Sequence, residues 1–94
     1  MLIRIVRMEF QPEKVEAFLA LFEEVKDKIA AFPGCHHVEL CEDAQQTHVY
    51  YTFSKWEGEN DLEKYRHSDL FKGTWEKTKA LFGGKPLAYS LMQK

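Results

Sequence analysis

Hydrophobic positions along the chain change period several times. Leu2 to Phe10 are rich in apolar and β-branched side chains and predict a first strand. Val15, Phe18, Phe22, Val25, Ile29 and Phe32 then recur at steps of three and four, with Leu19 beside them, as one apolar stripe on an amphipathic helix. Pro12 suits the first helical position, Glu13 and Glu16 its positive end, and Lys26 and Lys28 its C-terminal end. The stretch FPGC stops the helix, with Pro33 and Gly34 fitting the central positions of a type II turn. Strands are expected at about Cys35 to Glu42 and Thr47 to Trp56, and the short DAQQ loop between them implies an antiparallel hairpin. A short helix burying Leu62 and Tyr65 follows. Another helix has Ser68 as N-cap and Phe71, Thr74, Trp75, Thr78, Leu81 and Phe82 along one face. Gly83, Gly84 and Pro86 end it, and LAYSLMQ is a last strand. The order β-α-β-β-α-α-β predicts an α+β, ferredoxin-like fold in which a four-stranded antiparallel sheet carries its helices on one face.

Strand alternation exposes a problem with that layout. Ile3 and Ile5 point to one side of the sheet, Leu2, Val6, Met8 and Phe10 to the other; Val49, Tyr51 and Phe53 oppose Tyr50 and Trp56. Helices on one face leave the other bare, yet both sides are largely apolar. Burying a medium apolar side chain contributes roughly 1.5–3 kcal/mol. Six left exposed would forgo on the order of 10 kcal/mol, comparable with a small domain's stability. The expected remedy is a homodimer through the open sheet face, with a greasy monomer as the plainer alternative.

Composition narrows the function classes. The 94 residues suffice for one domain, 1–94, and 45% hydrophobic with 30% charged residues is a globular profile. A net charge of −2 leaves no basic surplus for nucleic acid. No apolar run approaches the roughly 20 residues that span a bilayer, and the first residues lack a signal-peptide core, so no membrane association and a cytoplasmic location are expected.

Two cysteines and two histidines crowd the stretch FPGCHHVELC. On a strand, Cys35 and Cys41 stand about 20 Å apart, too far for a disulfide or one zinc ion. Simple alternation puts His36 and His37 on opposite faces and Cys35 with His37 on one. Two ligands do not make a metal site, so none is expected. The stretch reads as a helix stop, a turn and a strand, with His37 as a candidate for lining a pocket.

The whole pattern resembles the antibiotic biosynthesis monooxygenase (ABM) family, whose members form dimeric α+β barrels. The resemblance is carried by the leading strand and helix, FPGC followed by a strand, YYTFSKW, a short helix, and YRHSDLFKGTW. It implies that Trp56 faces a pocket between sheet and helices. Tyr65 stands where many members place a histidine. Haem-degrading members use an asparagine on the first strand and a histidine on the last helix; the nearest positions here are Val6 and Trp75, and the only asparagine, Asn60, is in the wrong element. Haem degradation is therefore not expected. What the resemblance implies instead is a cofactor-independent oxygenase of a small apolar, quinol-like or polyketide-like aromatic, with neither cofactor nor metal.

Such chemistry needs a base and oxyanion donors around a flat ring. The candidate catalytic residues are Trp56, Tyr65 and His67, and the candidate binding residues are Tyr50, His37, His48, Phe71 and Trp75. Arg4, Arg7 and Arg66 are the only arginines, and one facing inward would hold an anion. Each has a plainer counterpart: the aromatics as core, His67 as a solvated helix residue. The rival to an enzyme is a non-catalytic binding or regulatory homodimer.

Overall fold

Pairing along β1 (Leu2–Glu9) organises the sheet. In the computed structural model, which describes residues 1–94, β1 lies antiparallel between β3 (Val49–Trp56) and β4 (Leu87–Met92). The far side of β3 pairs antiparallel with β2 (Cys35–Glu42), giving the order β2-β3-β1-β4. Three helices, α1 (Val15–Ala30), α2 (Glu59–Arg66) and α3 (Asp69–Lys79), complete the ferredoxin-like α+β arrangement expected from the periodicity. The first helix differs in detail. Pro12–Lys14 form a tight 3-10 turn, and the regular helix begins only at Val15.

Local chemistry explains the boundaries. The FPGC turn closes when Cys35 N–H donates to the Phe32 carbonyl at 2.9 Å, with Gly34 at φ +87°. Side chains rarely adopt that conformation, and a Cβ at Gly34 would stand 2.5 Å from the Asp61 Cβ. Glycine is thus required twice, by the turn and by the close approach of α2. Ser68 caps α3 by accepting from Phe71 N–H at 3.1 Å, while its own hydroxyl donates to the Tyr65 carbonyl at the end of α2.

Between the sheet's helix-facing side and the helices, apolar residues of both form two clusters. Leu2, Val25, Ile29, Trp56, Leu62 and Tyr65 pack at one end, and Met8, Phe10, Phe18 and Tyr50 at the other. The second end is stitched shut by backbone. Gln11 N–H donates to Leu81, and Gly83 N–H donates to Glu9. The opposite face carries Ile3, Ile5, Tyr51 and Phe53 with Leu87, Tyr89 and Leu91, the last three about half exposed at 47%, 51% and 49%.

Alternation fails at one point. Cys35 pairs with Trp56 but His37 pairs with Lys55, so His36 is the extra residue of a β-bulge. The bulge resets the parity of β2. Cys35 packs on the helix side against the Trp56 cluster. His37 lies on the open face, edge-on to Phe53 and 3.1 Å from Glu39. The expectation that Cys35 and His37 share a face is corrected accordingly.

Candidate functional site

Between the two clusters the helices stand off the sheet and leave a cavity of about 300 Å³, lined mostly by hydrophobic residues. Its floor is the helix side of β1 and β3. Its walls come from the apolar stripe of α1 and from α2 and α3. Arg66 and Ala88 both line it and are both exposed, so the cavity opens to solvent where they stand.

Four of the expected site residues meet there: Trp56, Tyr65, Phe71 and Trp75. They form an aromatic chain. Trp56 stacks on Tyr65 at 4.9 Å and 28°, Tyr65 meets the edge of Phe71 at 5.2 Å, and Phe71 stacks on Trp75 at 5.8 Å and 12°. Flat walls of this kind suit a planar ring.

Four others stand outside it. Tyr50 faces the helices but fills the second cluster against Phe10 and Phe18, with its hydroxyl near Glu42. His37 is carried to the open face by the bulge. His48 precedes β3; its carbonyl accepts from Phe10 N–H, and its side chain makes no hydrogen bond and does not reach the cavity lining. His67, two positions past Tyr65, is turned to solvent with its side chain 77% exposed, 3.8 Å from Glu63. A two-residue step on a helix rotates about 200°, which is why Tyr65 and His67 cannot share the cavity.

The polar groups divide into engaged and free. The Trp56 indole N–H donates to Ser54 Oγ at 3.0 Å, and Ser54 in turn donates to the Arg4 carbonyl at 3.4 Å. The Trp56 N–H is therefore already engaged inside the chain and is not free for a ligand. Thr78 donates to the Thr74 carbonyl at 2.7 Å. Tyr65 makes no side-chain hydrogen bond, and no buried polar side-chain atom of the chain lacks a partner, so its hydroxyl is reachable from outside. Burial, seconded in alkali by the charge of a Cys35 thiolate, pushes the Tyr65 phenol far above the usual tyrosine range. It stays protonated and is a donor, not a base. Cys35 is itself raised by burial and remains a thiol.

Of the three arginines named as candidate anion holders, Arg4 and Arg66 line the cavity and Arg7 does not. Arg4 occupies an even position of β1, like Val6 and Met8, and so lies under the helices. Arg66 ends α2 at the opening. No histidine, lysine or carboxylate lines the cavity.

The model of the antibiotic biosynthesis monooxygenase family matches residues 1–77. The chain belongs to that family. Its backbone is similar to a crystal structure of an antibiotic biosynthesis monooxygenase at TM-score 0.93 and 18% identity, covering 100% of this chain and 99% of that one. A conserved protein from Methanosarcina mazei Go1 superposes at TM-score 0.92 with 20% identity, covering 100% and 94%. Rv0793 from Mycobacterium tuberculosis gives 0.90 and 19%, covering 99% and 94%. At such identities these likenesses speak for the fold alone. No curated protein sequence matches the chain. No helix is long and apolar enough to cross a membrane.

Proposed function

We propose that the chain is a cofactor-independent monooxygenase, acting as a homodimer on a quinol-like or polyketide-like aromatic held between sheet and helices. The observation that carries this reading is the chemistry of the lining. An apolar cavity of about 300 Å³ whose free polar side chains, the Tyr65, Thr52 and Thr74 hydroxyls and the two arginines, can all donate a hydrogen bond, with no carboxylate in the lining, favours an electron-rich ring anion over its neutral form. Family membership supports the reading.

The substrate supplies the electrons. A ring methylene, as in the keto tautomer of a phenol, loses a proton to give the delocalised anion. The anion transfers an electron to dioxygen, and the resulting pair couples at carbon. Loss of water then leaves a ketone. One oxygen atom of dioxygen enters the product as the new carbonyl, and the other leaves as water with the two methylene hydrogens. The step therefore balances without an external reductant. Tyr65 donates to the ring oxyanion, while Phe71 and Trp75 hold the ring flat and exclude water.

One observation favours a second reading. No side-chain base lines the cavity, which suits a non-catalytic module that holds a small apolar ligand. Oxygen uptake distinguishes the two. Aerobic incubation with a panel of quinols and anthrones is expected to consume oxygen faster than buffer and to place one 18O atom in the ketone. No uptake beyond buffer, with ligand still bound, would leave the binding module.

A further inference from the structure

Arg4 is a cation in an unusual position. Its backbone lies on the cavity floor between the apolar positions Leu2 and Val6, and its guanidinium is only part-exposed. No carboxylate lies within ion-pair distance of it; its one side-chain partner is Ser90 Oγ, at 2.9 Å on β4. The second arginine of the lining, Arg66, repels it, while Glu63 attracts it. Glu63 is already shared, holding Arg66 at 3.4 Å and standing 3.8 Å from His67. Burial first, and Arg66 second, depress the Arg4 pKa, although guanidinium stays charged throughout the ordinary range. The lining therefore holds two positive charges and no negative one. A part-buried charge with no counter-ion costs stability unless something else compensates it.

We propose that Arg4, aided by Arg66, is the anion receptor of the cavity, and that its ligand is a planar apolar molecule carrying one negative charge, as a carboxylate or an ionised ring hydroxyl. The guanidinium offers a planar fork that matches either oxyanion, and the aromatic walls take the ring. With no side-chain base at hand, the same charge also lowers the pKa of a bound ring hydroxyl, so that ionisation needs only water as proton acceptor. The proposal rests on the cavity being the ligand site and is independent of oxygen chemistry.

Binding under nitrogen tests it, with 2-naphthoate, its neutral isostere 2-naphthalenemethanol, and 2-naphthol. The carboxylate should bind at least about tenfold tighter than the alcohol, the strength of a charge-assisted hydrogen bond. Bound 2-naphthol should show naphtholate absorbance at a pH where the free compound is neutral. Preference for naphthoate alone assigns a fixed carboxylate, and naphtholate formation alone assigns an ionised hydroxyl. Arg4→Met keeps an apolar stem and should erase the preference while the alcohol still binds. Arg66 is exposed, so Arg66→Gln should keep the native circular dichroism and weaken the preference severalfold. Equal affinity of native protein for naphthoate and the alcohol, without naphtholate, overturns the proposal, as does binding of none of the three. Charge preference without oxygen uptake on quinols would sink only the monooxygenase reading. A naphthoate preference that survives in Arg4→Met would sink only this one.

Discussion

The ring of Trp56 stacks on that of Tyr65 at 4.9 Å, yet only one of the two has its polar atom free. Trp56 gives its N–H to Ser54 and is 1% exposed, whereas the Tyr65 hydroxyl has no partner within the chain. The pair thus separates structure from function. Trp56→Phe should cost about 2 kcal/mol, from lost ring volume and an abandoned Ser54 hydroxyl, measured by urea unfolding. Tyr65→Phe should change stability by less than about 1 kcal/mol, since no internal hydrogen bond is lost. If Tyr65 donates to an oxyanion, the same variant should slow oxygen uptake about a hundredfold. A slow enzyme with Trp56→Phe and a normal one with Tyr65→Phe would reverse these assignments.

Burial also makes Tyr65 visible to alkali. The phenolate is the charged form and the apolar surroundings disfavour it, so the folded pKa lies above the unfolded value of about 10. Below that value Tyr65 is neutral in both states and imposes no pH dependence. Above it the unfolded chain loses a proton that the folded chain keeps, so stability falls as pH rises. Phenolate absorbance should show a tyrosine that resists ionisation until unfolding, absent in Tyr65→Phe. An unchanged titration in that variant would place the resistant phenol elsewhere.

Much of this architecture was legible because periodicity and turn chemistry agreed. The α1 stripe, the FPGC turn, the Ser68 cap and the two-sided apolar sheet all follow from local patterns. Two features lay beyond that reach. The bulge at His36 has no distinct residue signature, yet it moves His37 from cavity to open face. Arg4 was singled out only as one of three arginines that would hold an anion if turned inward, although pleat parity alone places it beside Val6. The His67 expectation failed for a plainer reason: helical rotation cannot aim it and Tyr65 into the same space.

Two glycines predict opposite outcomes for the same substitution. Gly34 sits at φ +87° with Asp61 at overlap distance from any added Cβ, so Gly34→Ala should destabilise by about 1–3 kcal/mol. Gly73, inside α3, has nothing within 4 Å of an added Cβ. Gly73→Ala should stabilise by about 0.5–1 kcal/mol through helix propensity. Thermal unfolding of the two variants in parallel decides. A harmless Gly34→Ala would mean that the turn relaxes and α2 moves away.

The open sheet face makes the last prediction. Ile3, Ile5, Tyr51, Phe53, Leu87, Tyr89 and Leu91 share that side with Arg7 and Lys55; the β4 residues are about half exposed, Leu91 and Tyr89 opposite Ile3 and Ile5 and Leu87 opposite Arg7. His37 and Glu39 stand at the β2 edge and Arg7 and Lys55 toward the two ends of β1 and β3, so the apolar area is a patch with a charged margin, of the kind that marks an interface. Two copies placed sheet to sheet would cover it and remove no donor or acceptor from the cavity side. The native protein should sediment at micromolar concentration with twice the mass of the 11.1 kDa chain. Tyr89→Lys with Leu91→Lys puts unpaired cations on the exposed β4 side of the patch and should yield single chains that keep their helical circular dichroism. A native protein that already sediments as one chain would defeat the dimer, and a double variant that still pairs would move the interface to another surface.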